Sequence, residues 1–470
     1  MTEVQLCKRC SSEPAVVVSR KEPFCAICFR KFISLKQRKQ MMSDQYFQDI
    51  FKVMYQDKLK SAEEAEKLNV ESRVLVPLSF GSASIVMLDV LNDTLQEQLD
   101  VHRGKVGFHV DIIVCYFDTE LQLLEEKLGA ILNGRLRENK HRYKIHMVNV
   151  ESFYKSSQLL RVHLQDSSYT VRKVSAAADL QNEYTVKELL SSCLNRSARE
   201  DLLNIIRTAI IKLFATQGGY KAILWGHSMT RLADEIISLV VKGRASDIAN
   251  SLNDSNFDCE FEGSFKNLHP MRDILLSEID AYCHISELVQ YTHNYIPQDT
   301  LLTKKVLNTE TIGSKLTRNM TINELARQYF DNIEGNYANI ISTVVRTGAK
   351  LDDPSNTLST STRCEICNSK LYKDGSNWLR QITVTSSHPL ENDDDESLHD
   401  AWALSEQGKI RGEYLRLTAD MENRGQVLPT CYGCILTLGE VKFKNIYWPE
   451  SPPDILKETL RDFVLSDDDE

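Results

Sequence analysis

No stretch of this chain is apolar for long enough to cross a membrane, and its first ten residues, MTEVQLCKRC, carry charges and cysteines where a signal peptide would have an apolar run. A membrane-spanning or secreted protein is therefore not expected, and a cytosolic or nuclear home is. Positive charge is also in short supply, with 56 basic residues against 66 acidic ones and a net charge of −10. That balance argues against a chain that binds nucleic acid by electrostatics alone. What is there, 42% hydrophobic and 26% charged residues over 470 positions, is the composition of a soluble globular protein large enough for two or three domains.

The charge is unevenly placed. Residues 1–40 hold nine Lys/Arg against three Glu, whereas acid collects at 393–396 and 467–470, segments expected to be solvated. Within the basic part, Arg9, Arg20, Lys36, Arg38 and Lys39 are the candidate contacts to an RNA backbone. Eight of the twelve cysteines form CxxC pairs, Cys7/Cys10, Cys25/Cys28, Cys364/Cys367 and Cys431/Cys434. In a reducing compartment such pairs mean metal or redox chemistry before disulfides. Fourteen residues separate the first two pairs, with a β-branched run at 16–18 and turn residues Pro14 and Pro23, so a small hairpin can bring both turns to one tetrahedral zinc ion. A redox role would want CxxC after a strand in a βαβ unit, which this segment lacks. Sixty-three residues separate the last two pairs. They read as two halves of one zinc site around an acidic insertion, although so long a spacer also allows different sites.

The middle of the chain reads as α/β. A β-branched run at 74–76 breaks at Pro77 into a Ser/Gly loop, and helical periodicity resumes through Ile85, Leu88 and Leu91. Strand, loop and helix in that order aim free backbone N–H groups at one point, a ready anion site. Further strands are expected at 110–117, 144–150 and 220–225, separated by helices near 120–136 and 198–215. That alternation implies a Rossmann-like parallel sheet. The expected plan is a four-cysteine zinc module at 1–35, a basic helical linker at 36–68 and the α/β domain at 69–300 with an insertion at 151–195. A helical segment at 301–355, a second zinc module at 356–450 and an acidic tail at 451–470 complete it.

The loop Ser79-Phe80-Gly81-Ser82-Ala83-Ser84 resembles the SGGxDS loop of the PP-loop ATP pyrophosphatases, with Ser79, Gly81 and Ser84 on the matching positions. These three are the candidate, degenerate, anion-binding residues. Phe80 replaces a glycine and Ala83 an acidic residue, and Phe supplies neither close backbone approach nor a positive φ cheaply. Residues 226–234, GHSMTRLAD, resemble the GHNxDDxAE element of tRNA-thiolating PP-loop enzymes. Thr230 and Arg231 stand where paired aspartates would be the magnesium ligands. The HPMRD stretch at 269–273 resembles RPLRD, which implies an internal Arg272–Asp273 pair or a contact to the anion site. His227 is assigned no catalysis, and Cys259 and Cys283 are expected to be inert lone thiols.

With the cysteine quartets and the order of these motifs, the chain resembles the cytoplasmic tRNA 2-thiolation protein 2 family over nearly its whole length. The resemblance implies a cytoplasmic, non-catalytic subunit with structural zinc, and with ATP unlikely in this subunit. Its implied partners are tRNA and the catalytic cytoplasmic tRNA 2-thiolation protein 1. The complex would place sulfur on C2 of the wobble uridine of lysine, glutamate and glutamine tRNAs. A thiocarboxylated ubiquitin-related modifier would be the indirect sulfur source, with a link to protein conjugation of that modifier. An active adenylating sulfurtransferase with a divergent loop is the alternative, and a zinc-dependent scaffold without an RNA role is the third class.

Overall fold

The chain is seen in a computed structural model that describes residues 5–54, 61–155, 159–165, 170–175, 184–258, 260–261, 263–293, 295–306, 320–351, 362–371, 375, 396–410, 412–413, 416 and 428–450. Chain order begins with a short hairpin, β1 (Val17–Ser19) and β2 (Glu22–Phe24), followed by helices α1 (Ala26–Met41), α2 (Gln45–Phe51) and α3 (Ala62–Glu71). Then come β3 (Arg73–Pro77), α4 (Ser82–Val101), β4 (His109–Tyr116), α5 (Leu121–Asn133), a 3₁₀ turn (Arg137–Arg142) and β5 (Tyr143–Asn149). The next elements are β6 (Leu159–Gln165), β7 (Thr170–Ser175), α6 (Val186–Ser191), α7 (Arg196–Gly218), β8 (Ala222–Leu224), α8 (Met229–Val241) and α9 (Ile248–Leu252). After β9 (Lys266–Leu268), α10 (Leu276–Ile285) and α11 (Ile322–Gly348), helices at Glu396–Ala403 and Tyr432–Gly439 lead to β10 (Asn445–Pro449).

The chain divides into two compact units, Met1–Ser152 with Asn195–Ser355, and Phe153–Leu194 with Asn356–Glu470. In the first, five strands pair in the order β5-β4-β3-β8-β9, and every pairing is parallel. The expected α/β class with a parallel sheet is therefore what forms. Val74, Leu75 and Val76 of the central β3 are all fully buried. Alternation sends Val74 and Val76 into one core with α1, α2 and α4, and Leu75 into the opposite one with α7. β9, only three residues long, was not expected; its sequence KNL has one apolar residue and no visible strand period.

The linker expected to be helical at 36–68 draws on three separate helices, α1, α2 and α3. Asp44 caps α2 by accepting from Phe47 N, and Ser61 caps α3 by accepting from Glu64 N, so each break carries its own start signal. The amino-terminal hairpin is built into this unit, since Val18 N donates to the Leu301 carbonyl at 2.9 Å and Thr303 N to that of Val16 at 2.9 Å. In the second unit β6 pairs antiparallel with β7 and with β10. The segment 151–195, polar and unpatterned in sequence, thus supplies strands to the same unit that holds the carboxyl-terminal cysteines. The acidic runs at 393–395 and 467–470, and Cys259, lie outside the described residues.

Candidate functional site

The carboxyl ends of β3 and β8 bring two of the sequence motifs together. β3 stops at Pro77 and the chain turns through Ser79 and Phe80 to Gly81, the N-cap of α4, which has no side-chain cap. Phe80 has φ of +56°, the left-handed conformation a glycine would take freely. Phe80 thus adopts the positive φ that was expected to be costly for it. Left-handed backbone costs a non-glycine residue about 1–2 kcal/mol, but the Phe80 ring is 1% exposed, and burying it contributes about 1.5–3 kcal/mol. Packing therefore offsets the strain, helped by the Phe80 carbonyl, which accepts from His293 N at 2.9 Å.

The loop's serines are turned onto the loop itself. Ser84 Oγ donates to the Gly81 carbonyl at 3.0 Å and lies 3.3 Å from Ser79 Oγ, which accepts from Gly81 N at 3.4 Å. Beside them, between the ends of β3 and β4, is a cleft of about 290 Å³ lined in part by Ser79, Phe80, Cys115, Arg207 and His293. Burial pushes the Cys115 thiol up to about 11, so it is protonated at neutral pH.

The second motif lies against the first. A Cβ on Gly226 would stand 2.9 Å from Ser84 Cα, so only glycine permits this approach. From here α8 starts, capped by Ser228 accepting from Arg231 N. Asp234 is fully buried and bound by two arginines, Arg231 Nη1 at 3.3 Å and Arg327 Nε of α11 at 3.1 Å. Burial pushes its carboxyl up to about 6 against the pull of Arg231 and Arg327. Arg231 also reaches Glu235 at 3.2 Å. Thr230 accepts from Leu276 N at 3.1 Å and donates to Glu334 Oε2 at 3.4 Å. Where the related element would present carboxylates, this chain presents a hydroxyl and an arginine, and the nearby acid is already neutralised.

His227 stacks on His269 with ring centroids 5.4 Å apart, and burial lowers His227 to about 4 and His269 well below its ordinary value. Both rings are neutral at physiological pH. The expected Arg272–Asp273 pair does not form. Arg272 instead binds Asp254 at 2.8 Å, and Asp273 Oδ2 accepts from Gln40 Nε2 of α1. Cys283 is fully buried, and burial raises its thiol well above the ordinary value.

The five expected RNA-contacting cations have different fates. Arg20 and Lys36 converge on Glu278, a carboxylate with no exposed surface, at 2.8 and 3.3 Å. Arg38 pairs with Glu97 at 2.5 Å. Arg9 lies over the rings of Phe24 and Phe32 at 5.7 and 5.6 Å, and Lys39 is exposed on α1. Nothing in the sequence near 278 marks it as an anchor, since its partners lie about 240 to 260 positions away. Asp234 and Arg327, 93 positions apart, were invisible for the same reason.

Both cysteine quartets are assembled. Within each, the sulfurs lie within 4.8 Å of one another, with Cys10–Cys25 at 3.9 Å and Cys367–Cys431 at 3.7 Å. One tetrahedral ion with metal–sulfur bonds of about 2.3 Å places its ligand sulfurs about 3.8 Å apart, so each quartet fits a single ion. The long 63-residue spacer does close on one site. The local device is shared: Cys25 and Cys431 are the N-caps of α1 and of Tyr432–Gly439, accepting from Cys28 N and Cys434 N. Each second CxxC turn is thus a helix start, which fixes two ligands on rigid backbone.

Comparison with known proteins gives a consistent result. A family model described as cytoplasmic tRNA 2-thiolation protein 2 matches residues 321–436. The cytoplasmic tRNA 2-thiolation protein 2 of Kluyveromyces lactis is 47% identical over 468 residues, covering 99% of this chain and 99% of its own length. That of Saccharomyces cerevisiae strain S288c is 39% identical over 472 residues, covering 95% and 93%. Among solved structures, the U34-tRNA thiolase NcsA of Methanococcus maripaludis with its 4Fe–4S cluster aligns with a TM-score of 0.48 at 13% identity, over 81% of this chain and 97% of its own.

Proposed function

Because this chain belongs to the cytoplasmic tRNA 2-thiolation protein 2 family, we propose that it is a cytoplasmic, non-catalytic subunit of the tRNA thiolation machinery. In this proposal it pairs with the catalytic cytoplasmic tRNA 2-thiolation protein 1 and helps to bind tRNA whose wobble uridine receives sulfur at C2. The sulfur originates on a thiocarboxylated ubiquitin-related modifier. The observation that carries the non-catalytic assignment is Asp234 held between Arg231 and Arg327. Replacing a uracil oxygen by sulfur requires that oxygen to become a leaving group, and a nucleotide with a divalent ion needs open carboxylates to hold the metal. Here the carboxylate is buried and paired twice, and Ser79 and Ser84 satisfy each other and the loop.

Zinc is the ion proposed for Cys7, Cys10, Cys25 and Cys28 and for Cys364, Cys367, Cys431 and Cys434. All-thiolate quartets leave no open position, so these sites contribute folding energy rather than chemistry. Domain roles follow: the amino-terminal quartet fixes α1, and the carboxyl-terminal quartet fixes the helix Tyr432–Gly439. Reconstitution tests the assignment. The purified chain alone should form no AMP from ATP and thiolate no tRNA, whereas the catalytic partner without it should lose wobble thiolation. AMP formation by the chain alone, dependent on tRNA, would establish the divergent adenylating transferase instead.

A further inference from the structure

Between α5 and β5 runs the segment GRLRENKHRYK, residues 134–144, with five Lys/Arg and a single carboxylate, Glu138. Its inward positions are Leu136, Asn139 and Tyr143, at 0%, 1% and 7% exposure. Asn139 Nδ2 donates to Asn92 Oδ1 and Gln96 Oε1, each at 3.2 Å, and Tyr143 Oη donates to Asn92 Oδ1 at 2.9 Å. These contacts tie the segment to α4 and hold it still. Arg135 is engaged internally by the buried Asp89.

The remaining cations face outward in a regular series. In a 3₁₀ turn residues three apart eclipse one another, about 6 Å along the axis, which aligns Arg137 with Lys140. Where the strand starts, alternation takes over: Tyr143 points inward, so Arg142 and Lys144 share the other face, about 6–7 Å apart. Arg137, Lys140 and Lys144 are exposed, and Arg142 is half-buried with an Nε that has no hydrogen-bond partner. Among the described residues none of the four makes an ion pair; Lys140 donates only to the Asn133 side chain at 2.7 Å. Arg20, Lys36 and Arg38, by contrast, are each held by a carboxylate.

We propose that Arg137, Lys140, Arg142 and Lys144, on the β5 edge of the first unit, form a contact surface for the phosphate backbone of structured RNA. The inference rests on the tRNA-binding role proposed above and says which surface performs it. A protein partner fits less well, because a stable protein interface needs an apolar or aromatic centre. No large apolar side chain between 124 and 155 is exposed. Evenly spaced cations without carboxylate partners read phosphate and leave base identity unread.

The test is a salt titration of tRNA binding by the full chain, using unmodified tRNA transcript as probe and fluorescence anisotropy as the readout. The proteins are wild type, the triple variant Arg137→Gln, Lys140→Gln, Lys144→Gln, and a control on α1, Lys31→Gln. Each lost phosphate contact should reduce the slope of log affinity against log salt by about 0.7–0.9. The triple variant should lose about two units of slope and about a hundredfold in affinity near 0.1 M salt, equally for several tRNAs, with an unchanged melting temperature. Wild-type slope and affinity in the folded triple variant would overturn the surface while leaving tRNA binding intact. The same holds for a loss confined to the α1 variant, or for loss of a protein partner with tRNA affinity unchanged. Absence of tRNA binding by wild type would overturn both proposals.

Discussion

Replacing Glu278 by Gln removes one charge from the point where the amino-terminal module meets the α/β unit. The carboxylate accepts from Ser19 Oγ at 2.8 Å, Arg20 Nε at 2.8 Å and Nη2 at 3.2 Å, Lys36 Nζ at 3.3 Å and Leu275 N at 3.0 Å. Gln keeps the shape and one acceptor, so the substitution isolates the charge. Breaking a buried pair from one side costs about 3–5 kcal/mol, because the surviving charge is left uncompensated. The Arg20 side chain is 42% exposed and can return to water, but Lys36 at 18% cannot do so freely. The lower end of that range, about 3 kcal/mol, is therefore expected. Melting followed by circular dichroism should show a fall of about 4–5 °C, with faster loss of metal from the Cys7 quartet to a chelator.

The pH dependence of that difference has a definite sign. Burial alone would raise the Glu278 pKa, but the charges of Lys36 and Arg20 and the Leu275 N–H bring it below the ordinary value. A folded pKa below the unfolded one, about 4.3, means the stabilisation is complete above that pH and is lost as pH falls through the folded value. Wild type and variant should therefore converge at the acid end. A difference under about 1 kcal/mol at pH 7, or one of the same size at pH 3, would refute an electrostatic anchor.

Cys25→Ser removes a proposed metal ligand but leaves a hydroxyl that can still cap α1, so the purified chain should lose one equivalent of zinc by elemental analysis while keeping the helix start. Cys431→Ser should remove the other equivalent and leave the Cys7 quartet loaded. Phe80→Gly relieves the positive φ but forfeits the buried ring; the lost burial outweighs the relieved strain, so stability should fall by about 1–3 kcal/mol in denaturant unfolding. Ser84→Ala deletes a hydroxyl whose one donated bond stays within its own loop. In the reconstituted complex it should leave thiolation near wild type, and a loss as severe as deletion of the chain would count against the non-catalytic assignment.

The parts of the fold that could be read from sequence are those whose signal is local. β3, β4 and β5 announce themselves by β-branched runs such as VDIIV, and helices α4, α5 and α7 by apolar period. The quartets were legible because CxxC is a complete ligand half by itself. β9 was not, because three residues carry no period, and β6 was not, because its pairing with β10 is settled some 280 positions downstream. The same limit governs the candidate site. Arg20 and Lys36 read as free cations in a basic run, and only the chain's return at Glu278 shows them already paired.

The two motifs that depart from the resembled patterns differ in kind, and the difference bears on the proposed absence of catalysis. At Phe80 the side chain departs from the resembled loop while the backbone is left-handed, so the strand–loop–helix frame is present with a ring filling the core. At Arg231 the frame is also present, with Gly226 packed on Ser84, but a positive charge stands where the resembled element has a carboxylate, and it satisfies Asp234 and Glu235. Restoring Gly at 80 would leave a loop facing that same neutralised acid. Restoring Asp at 231 would put an unpaired carboxylate beside Asp234 with only Arg327 to hold both, a like-charge repulsion present before any metal arrived. Either change alone should therefore destabilise the chain without creating ATP turnover, because Phe80→Gly empties the space the ring fills and Arg231→Asp leaves Asp234 and Glu235 short of a partner.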